Sequence, residues 1–140
     1  IEFQAIQETL NRTTFNEFQL GTQVNLERSA KIGDEIGGHL LSGHIFGTAE
    51  IINITSNVYS LSCPESWMKY FFSKGYVAID GISLTLVDVD EKNHFFTVHL
   101  IPETLTRTTL SQKTIGSRVN IELDAMTQAA VETVERLLKK

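Results

Sequence analysis

The sequence predicts an all-β fold: a small Greek-key β-barrel, preceded by part of a similar barrel and followed by a single helix. Three observations carry that expectation. Short segments rich in Val, Ile, Phe and Thr recur from Ile45 to Leu123 with polar turns between them. A block near the start of the chain returns near its end. Only the last stretch holds a sustained helical stripe.

Composition bounds the rest. With 140 residues, 41% hydrophobic and 21% charged, the chain has material for one ordinary domain and its core. Twelve Lys and Arg against 17 Asp and Glu give a net charge of −5. A nucleic-acid partner is therefore not expected, because phosphate binding needs a basic footprint. No apolar run approaches the ~18 residues of a membrane helix, and no signal peptide opens the chain. One cysteine, Cys63, excludes an internal disulfide and makes a reducing, cytoplasmic setting the expectation.

The recurrence is ungapped. Sliding residues 1–29 by 95 positions lays them on residues 96–124, and 11 of the 29 positions are identical. The matches include Ile6/Ile101, Glu8/Glu103, Thr9/Thr104, Leu10/Leu105, Arg12/Arg107, Thr13/Thr108, Thr14/Thr109, Asn25/Asn120 and Glu27/Glu122. No strand or helix period forces the polar block Glu-Thr-Leu-x-Arg-Thr-Thr to return, so a duplicated module is the better account. The second copy runs from about Ser29 to Asp124, and residues 1–28 are the last third of the first. Roughly 60–70 residues of the first copy are expected upstream of Ile1, which is not a methionine.

Taken in order, Gln23–Glu27 reads as the closing strand of the first copy. Ile45–Thr55, Val58–Cys63, Val77–Asp80, Ile82–Asp90 and Phe95–Ile101 read as strands, and Arg118–Leu123 closes the second copy. Asp90-Glu91-Lys92-Asn93 is a polar turn that makes a hairpin of its flanking strands. Between Pro64 and Phe72, Trp67, Met68, Phe71 and Phe72 fit one helical face, and proline suits a first turn. From about Met126 onward, Ala130, Val131, Val134, Leu137 and Leu138 form a helical stripe, giving a helix over 125–140. That helix can dock on its own barrel or on copies of itself.

Strand polarity points at a site. Alternation sends Ile82, Leu84 and Leu86 to one face and Ser83 and Thr85 to the other. A small barrel fills its interior with apolar side chains, so Ser83 and Thr85 face outwards; an ordinary solvated face would look the same. Gly37-Gly38-His39-Leu40-Leu41-Ser42-Gly43-His44 is a flexible loop. It is a poor metal site, with two histidines five apart and no further ligand at metal spacing. It also lacks the ending of a P-loop. Its glycines would let backbone approach a flat ligand. Cys63 reads as a small buried hydrophobe rather than a nucleophile.

At these residues the sequence resembles the α-chain family of riboflavin synthase. Three stretches carry the resemblance: Asp34 to His44, Ile79 to Thr85, and Leu100-Ile101-Pro102-Glu103-Thr104-Leu105-Thr106-Arg107-Thr108-Thr109-Leu110. It spans the chain, and the three motifs stand in the family's order. The resemblance implies two tandem six-stranded Greek-key barrels with a C-terminal helix, assembled as homotrimers, with lumazine synthase a further partner to consider. It implies a transferase of riboflavin biosynthesis that needs neither metal nor organic cofactor. Two molecules of 6,7-dimethyl-8-ribityllumazine exchange a four-carbon unit, giving riboflavin and 5-amino-6-ribitylaminouracil. The delocalised heterocycle acidifies its own methyl group, so the protein mainly holds two rings in register and fixes charge with hydrogen bonds.

Carried over motif by motif, the substrate-binding residues are Gly43, His44 and Ile45 of the loop, Lys74, and Ser83, Leu84 and Thr85 of the strand. The run Ile101, Pro102, Glu103, Thr104, Leu105 and Thr106 follows. The repeat mates Gln4, Ala5, Ile6, Gln7, Glu8 and Thr9 stand for the first barrel's pocket. The resemblance implies catalytic roles for Ser83, directly or through water, for His44 as a proton carrier near neutral pH, and for Asp124. Asp124 also suits a helix N-cap, and the two roles are compatible. Glu103 reads equally as a surface carboxylate in a turn. Two other functions fit parts of the pattern. A non-catalytic lumazine or flavin carrier shares the fold, but such proteins tend to lose polar site residues, and Ser83, Thr85, His44 and Lys74 are all present. A reductase flavin domain would need a following nucleotide-binding domain.

Overall fold

The computed structural model describes residues 2–139. Six strands, β1 (Gly47–Thr55), β2 (Val58–Ser62), β3 (Tyr76–Ile79), β4 (Ile82–Asp90), β5 (Phe95–His99) and β6 (Arg118–Leu123), close into one antiparallel barrel. Their spatial order is β1-β2-β5-β4-β3-β6, so β2 reaches past two strands to β5 and β6 seals the gap between β1 and β3. This is the expected Greek-key barrel. Its inner face is built by alternation: Ile51, Leu61, Ile79, Leu86, Phe96, Val98, Val119 and Ile121 are at most 1% exposed. At roughly 1.5–3 kcal/mol per buried side chain, this layer dominates the stability.

Strand ends differ from expectation where backbone chemistry intervenes. β3 stops at Ile79 because Asp80 (φ +48°) and Gly81 (φ +82°) form the left-handed pair of a tight hairpin turn into β4. β1 begins at Gly47, although Phe46 N–H still donates to Ile121 O of β6 at 2.8 Å; at Gly47 itself an added Cβ would lie 2.5 Å from the Trp67 indole. The segment after Pro64 folds as a 3-10 turn, Glu65–Tyr70, burying Met68 and Tyr70. Gln23–Glu27 is not a strand. Its mate β6 takes its ladder from β1 and β3, and no described residues offer Gln23–Glu27 such neighbours.

The repeated polar block is a folding unit. It forms α1 (Gln7–Arg12) in the first copy and α2 (Pro102–Arg107) in the second, each followed by a 3-10 turn. Each helix carries an i,i+4 ion pair, Glu8–Arg12 and Glu103–Arg107. At each junction a threonine hydroxyl donates 2.7 Å back into the helix, Thr13 to Thr9 O and Thr108 to Thr104 O. The same hydroxyls accept from the next turn, from Phe15 N and Leu110 N. These hydrogen bonds are the reason for a threonine at Thr13 and Thr108; Thr9 and Thr104 supply only their backbone carbonyls.

The copies also serve each other. Thr14 N–H donates to Asn120 Oδ1 at 2.8 Å, and Thr109 N–H donates to Asn25 Oδ1 at 2.9 Å. Arg118 meets Glu17 at 2.7 Å, and their mates Gln23 and Gln112 meet at 2.5 Å. Finally α3 (Ala125–Leu138) rests on the Glu65–Tyr70 turn through Lys69–Glu135 (2.6 Å) and packs Val131 on the core. Val134, Leu137 and Leu138 of its stripe remain exposed.

Candidate functional site

The site is built where the glycine loop folds back over β4. Ser83 pairs with Ala78 of β3, and Thr85 pairs with Tyr76. Leu84 and Leu86 point into the core while Thr85 is exposed and Ser83 half-buried, as alternation requires. The loop arrives through two anchors. Glu122 of β6, 3% exposed, accepts from Ser42 N (2.6 Å), Ser42 Oγ (2.8 Å) and Gly43 N (3.1 Å). A buried carboxylate needs such donors, and these bonds fasten one end of the loop. At the other end Gly38 lies against Ser83, so close that a Cβ there would sit 2.5 Å from Ser83 Cβ.

The histidine that this brings to Ser83 is His39. Its Nδ1 lies 2.6 Å from Ser83 Oγ, its backbone N–H donates to that oxygen at 3.1 Å, and its ring stacks on Tyr76 with centroids 5.5 Å apart. His44 turns instead to Ser42 Oγ, 3.1 Å away, and is exposed. Asp124 caps α3, accepting from Thr127 N (2.8 Å) and Thr127 Oγ1 (2.7 Å). Its carboxyl is held below the ordinary 3.8: partial burial pushes it up, but the Thr127 hydroxyl and amide and the charge of His39 pull it down and prevail.

A cleft of about 1160 Å³ opens between this loop, the extended segment 23–30, and the end of α2. Of the sequence-expected residues, Gly43, Ser83, Ile101, Thr104 and Thr106 line it. His44, Ile45, Lys74, Leu84, Thr85 and Asp124 lie outside its lining, as do Pro102, Glu103 and Leu105. Lys74, with φ +68°, is tied by its backbone N–H to Leu86 O at 2.9 Å, and its side chain is exposed. Gln4, Ala5, Ile6, Gln7, Glu8 and Thr9 fall in and just before α1, away from the cleft. Reasoning from motifs missed His39 and Glu122 as parts of the site. The doubled glycine before His39 was the available signal for His39; for Glu122 it was a carboxylate on the outer face of β6 between the core residues Ile121 and Leu123.

Other chemistry is limited. Burial pushes the Cys63 thiol up to about 11, so it is held as a thiol against the core. Among the described residues no group of three His, Cys, Asp or Glu side chains could hold a metal ion, and no helix is long and apolar enough to cross a membrane.

Residues 42–124 match the lumazine binding domain family. The chain is 56% identical over 138 residues to a riboflavin synthase of Chlamydia pneumoniae, covering 99% of this chain and 68% of that protein. It is 49% identical over 143 residues to a riboflavin synthase of Escherichia coli (strain K12), covering 99% of this chain and 66% of the relative. The chain thus spans about two thirds of the length of these relatives. A crystal structure of LumP complexed with 6,7-dimethyl-8-(1'-D-ribityl) lumazine superposes with a TM-score of 0.73 at 26% identity, over 85% of this chain and 64% of that one. LumP complexed with riboflavin gives the same TM-score at 28% identity, over 85% and 66%.

Proposed function

Since the chain belongs to the riboflavin synthase family, whose lumazine-binding domain it carries, we propose that it supplies one substrate pocket of a riboflavin synthase. One pocket holds a molecule of 6,7-dimethyl-8-ribityllumazine against the Ser83 face, and a second barrel holds the other. A four-carbon unit passes between them, leaving riboflavin and 5-amino-6-ribitylaminouracil. The observation that carries this reading is the 56% identity across 99% of the chain, a span that includes the glycine loop, β4 and α2.

The chemistry asked of the protein is modest. Stacking two flat rings in reacting register lowers the barrier by proximity. Polar groups along the cleft, Ser83, Thr104 and Thr106 among them, hold the heterocycle by hydrogen bonds. His44, Asp124 and Lys74 serve protons and charge at the rim of the site, and the first copy's Gln4 to Thr9 belong to the other pocket. The exposed Val134, Leu137 and Leu138 stripe of α3 joins three copies, the protein works in the cytoplasm, and a lumazine synthase is a candidate companion.

The test is turnover by the native protein. Incubation with 6,7-dimethyl-8-ribityllumazine should produce riboflavin, followed by absorbance, with one pyrimidine released per riboflavin. Binding of the lumazine without product over hours would overturn the enzyme in favour of a carrier of the LumP kind. The native mass, measured alongside, reports whether a complete first barrel accompanies the chain.

A further inference from the structure

Asn25 belongs to the first copy and lies in a segment without strand neighbours, yet both polar atoms of its side chain are engaged. Oδ1 accepts from Thr109 N–H at 2.9 Å, and Nδ2 donates to the Asp80 carbonyl at 3.1 Å. A backbone N–H can only donate and a carbonyl can only accept, so these partners fix which way round the amide stands. Both lie in the second copy, 84 and 55 positions along the chain. Asn25, Asp80 and Thr109 all line the cleft.

Each end of this bridge leads to groups placed on the ligand above. Asp80 is a left-handed residue of the β3–β4 turn, just ahead of Ser83. Its other polar groups are taken. The N–H donates to Asn120 O at 2.9 Å, Oδ1 accepts from Asn120 N at 2.8 Å, and Oδ2 meets Lys113 Nζ at 3.2 Å. Thr109 opens the 3-10 turn after α2, where an N–H has no partner within its own helix. Thr104 and Thr106 lie just before it. Lys113 also ties that turn to Asp80, but on a long flexible stem whose Nζ is shared with Arg118 O at 3.3 Å. The short Asn25 side chain lacks that freedom. Its repeat mate works differently: Asn120 commits both amide atoms to Thr14, accepting from N at 2.8 Å and donating to Oγ1 at 3.0 Å. Neither Asn120 nor Thr14 lines the cleft.

We propose that Asn25 is a positioning residue for the second copy's pocket: its amide sets the spacing between Ser83 on β4 and the Thr104–Thr106 end of α2. The first copy thereby shapes a pocket whose assigned contacts all belong to the second. That the spacing matters for a flat heterocycle rests on the lumazine reading above; the bridge itself does not. A ring held from two sides loses one hold when either side drifts, so affinity follows the amide.

Three variants of the full chain test this. Asn25→Asp keeps an acceptor for Thr109 N–H and turns a second acceptor, with its charge, on the Asp80 carbonyl. Asn25→Leu removes both bonds. Thr14→Val removes a bond of the same kind outside the cleft. Two readouts need no ligand. A hydrogen bond to Asp80 O polarises the Asp80–Gly81 peptide, so the Gly81 amide nitrogen resonance should shift in both Asn25 variants and stay in place in Thr14→Val. Hydrogen exchange at the Thr109 amide should stay within about threefold in Asn25→Asp and rise about tenfold or more in Asn25→Leu. A Gly81 signal unmoved in Asn25→Asp, or unchanged Thr109 exchange in Asn25→Leu, overturns the bridge. Fluorescence titration with riboflavin gives the third readout. Both Asn25 variants should lose about tenfold in affinity, while Thr14→Val lowers the melting temperature but holds affinity within about threefold. An equal loss in Thr14→Val would show that affinity follows general stability, and would overturn the positioning role. If the unmutated chain binds neither riboflavin nor the lumazine, the ligand reading fails, while Gly81 and Thr109 still decide the bridge.

Discussion

Replacing Gly38 by alanine tests the architecture of the site with one methyl group. Gly38 has no left-handed φ, so its backbone accepts a side chain. Space is the only obstacle. The new Cβ would lie 2.5 Å from Ser83 Cβ and 2.6 Å from Ser83 Oγ, where carbon contacts settle at about 3.5–4.0 Å. The loop must therefore retreat by about 1 Å. The His39 amide, 3.1 Å from Ser83 Oγ, would then pass beyond hydrogen-bonding distance, and the ring contact would go with it. Two lost hydrogen bonds at about 0.5–1.5 kcal/mol each, or about 1–3 kcal/mol of strain if the loop stays, lead to the same total. We expect a destabilisation of about 1–3 kcal/mol, seen as a Tm lower by about 3–5 °C per kcal/mol for a domain of this size. Riboflavin affinity should fall by about tenfold. The control is built in. Gly37, one residue earlier, has nothing within 4 Å of an added Cβ, so Gly37→Ala should stay within about 0.5 kcal/mol of the unmutated chain. Circular dichroism melts and fluorescence titrations of both variants decide the matter. If Gly38→Ala matches Gly37→Ala in both assays, the loop does not rest on Ser83 as described.

Three further outcomes are expected. Glu122→Ala strands the donors of Ser42 and Gly43 and should cost at least about 2 kcal/mol in urea unfolding, with faster hydrogen exchange at both amides; unchanged exchange would refute the anchor. Folding lowers the Asp124 carboxyl below 3.8, so its contribution is complete above that value and disappears as pH falls through the lower native one. The stability gap between the unmutated chain and Asp124→Asn should therefore be constant near neutrality and close in acid. A gap that widens in acid would reverse the sign. If the exposed Val134 and Leu138 join copies as proposed, replacing both by Asp should turn the proposed trimers into monomers in sedimentation velocity; unchanged sedimentation would refute that role for the stripe.

What could be read from the residues followed from periodicity. β4 and β6 each send alternate apolar side chains into the core over several residues, and that signal survives without a partner in view. The terminal helix likewise advertises its stripe over fourteen residues. The helices α1 and α2 escaped because six residues are too few to show a 3.6 period, although the Glu-x-x-x-Arg spacing was there to be seen. Gln23–Glu27 looked like a strand because its composition is that of β6, but a strand exists only where a neighbour completes its ladder. The site was half legible for a similar reason. Ser83 and Thr85 declare their face by alternation, whereas the choice of His39 over His44 depends on how Glu122 and Gly38 pin the loop, and both contacts join residues more than forty positions apart.

The exchanged hydrogen bonds between the two copies have a bearing on how this sequence can change. Asn25 serves Thr109 and Asn120 serves Thr14, so each repeat completes the other's cap, not its own. In a pair of separate subunits, such reciprocity defines a two-fold interface, in which residue i meets j while j meets i. Here one polypeptide carries both halves. A substitution in either repeat is therefore registered in its sibling, and the two cannot drift independently at these positions. Replacing Asn25 should loosen the turn after α2, far along the chain, while leaving the adjacent α1 intact. Swapping segments between related proteins would keep the junction only if both asparagines and both threonines travelled together.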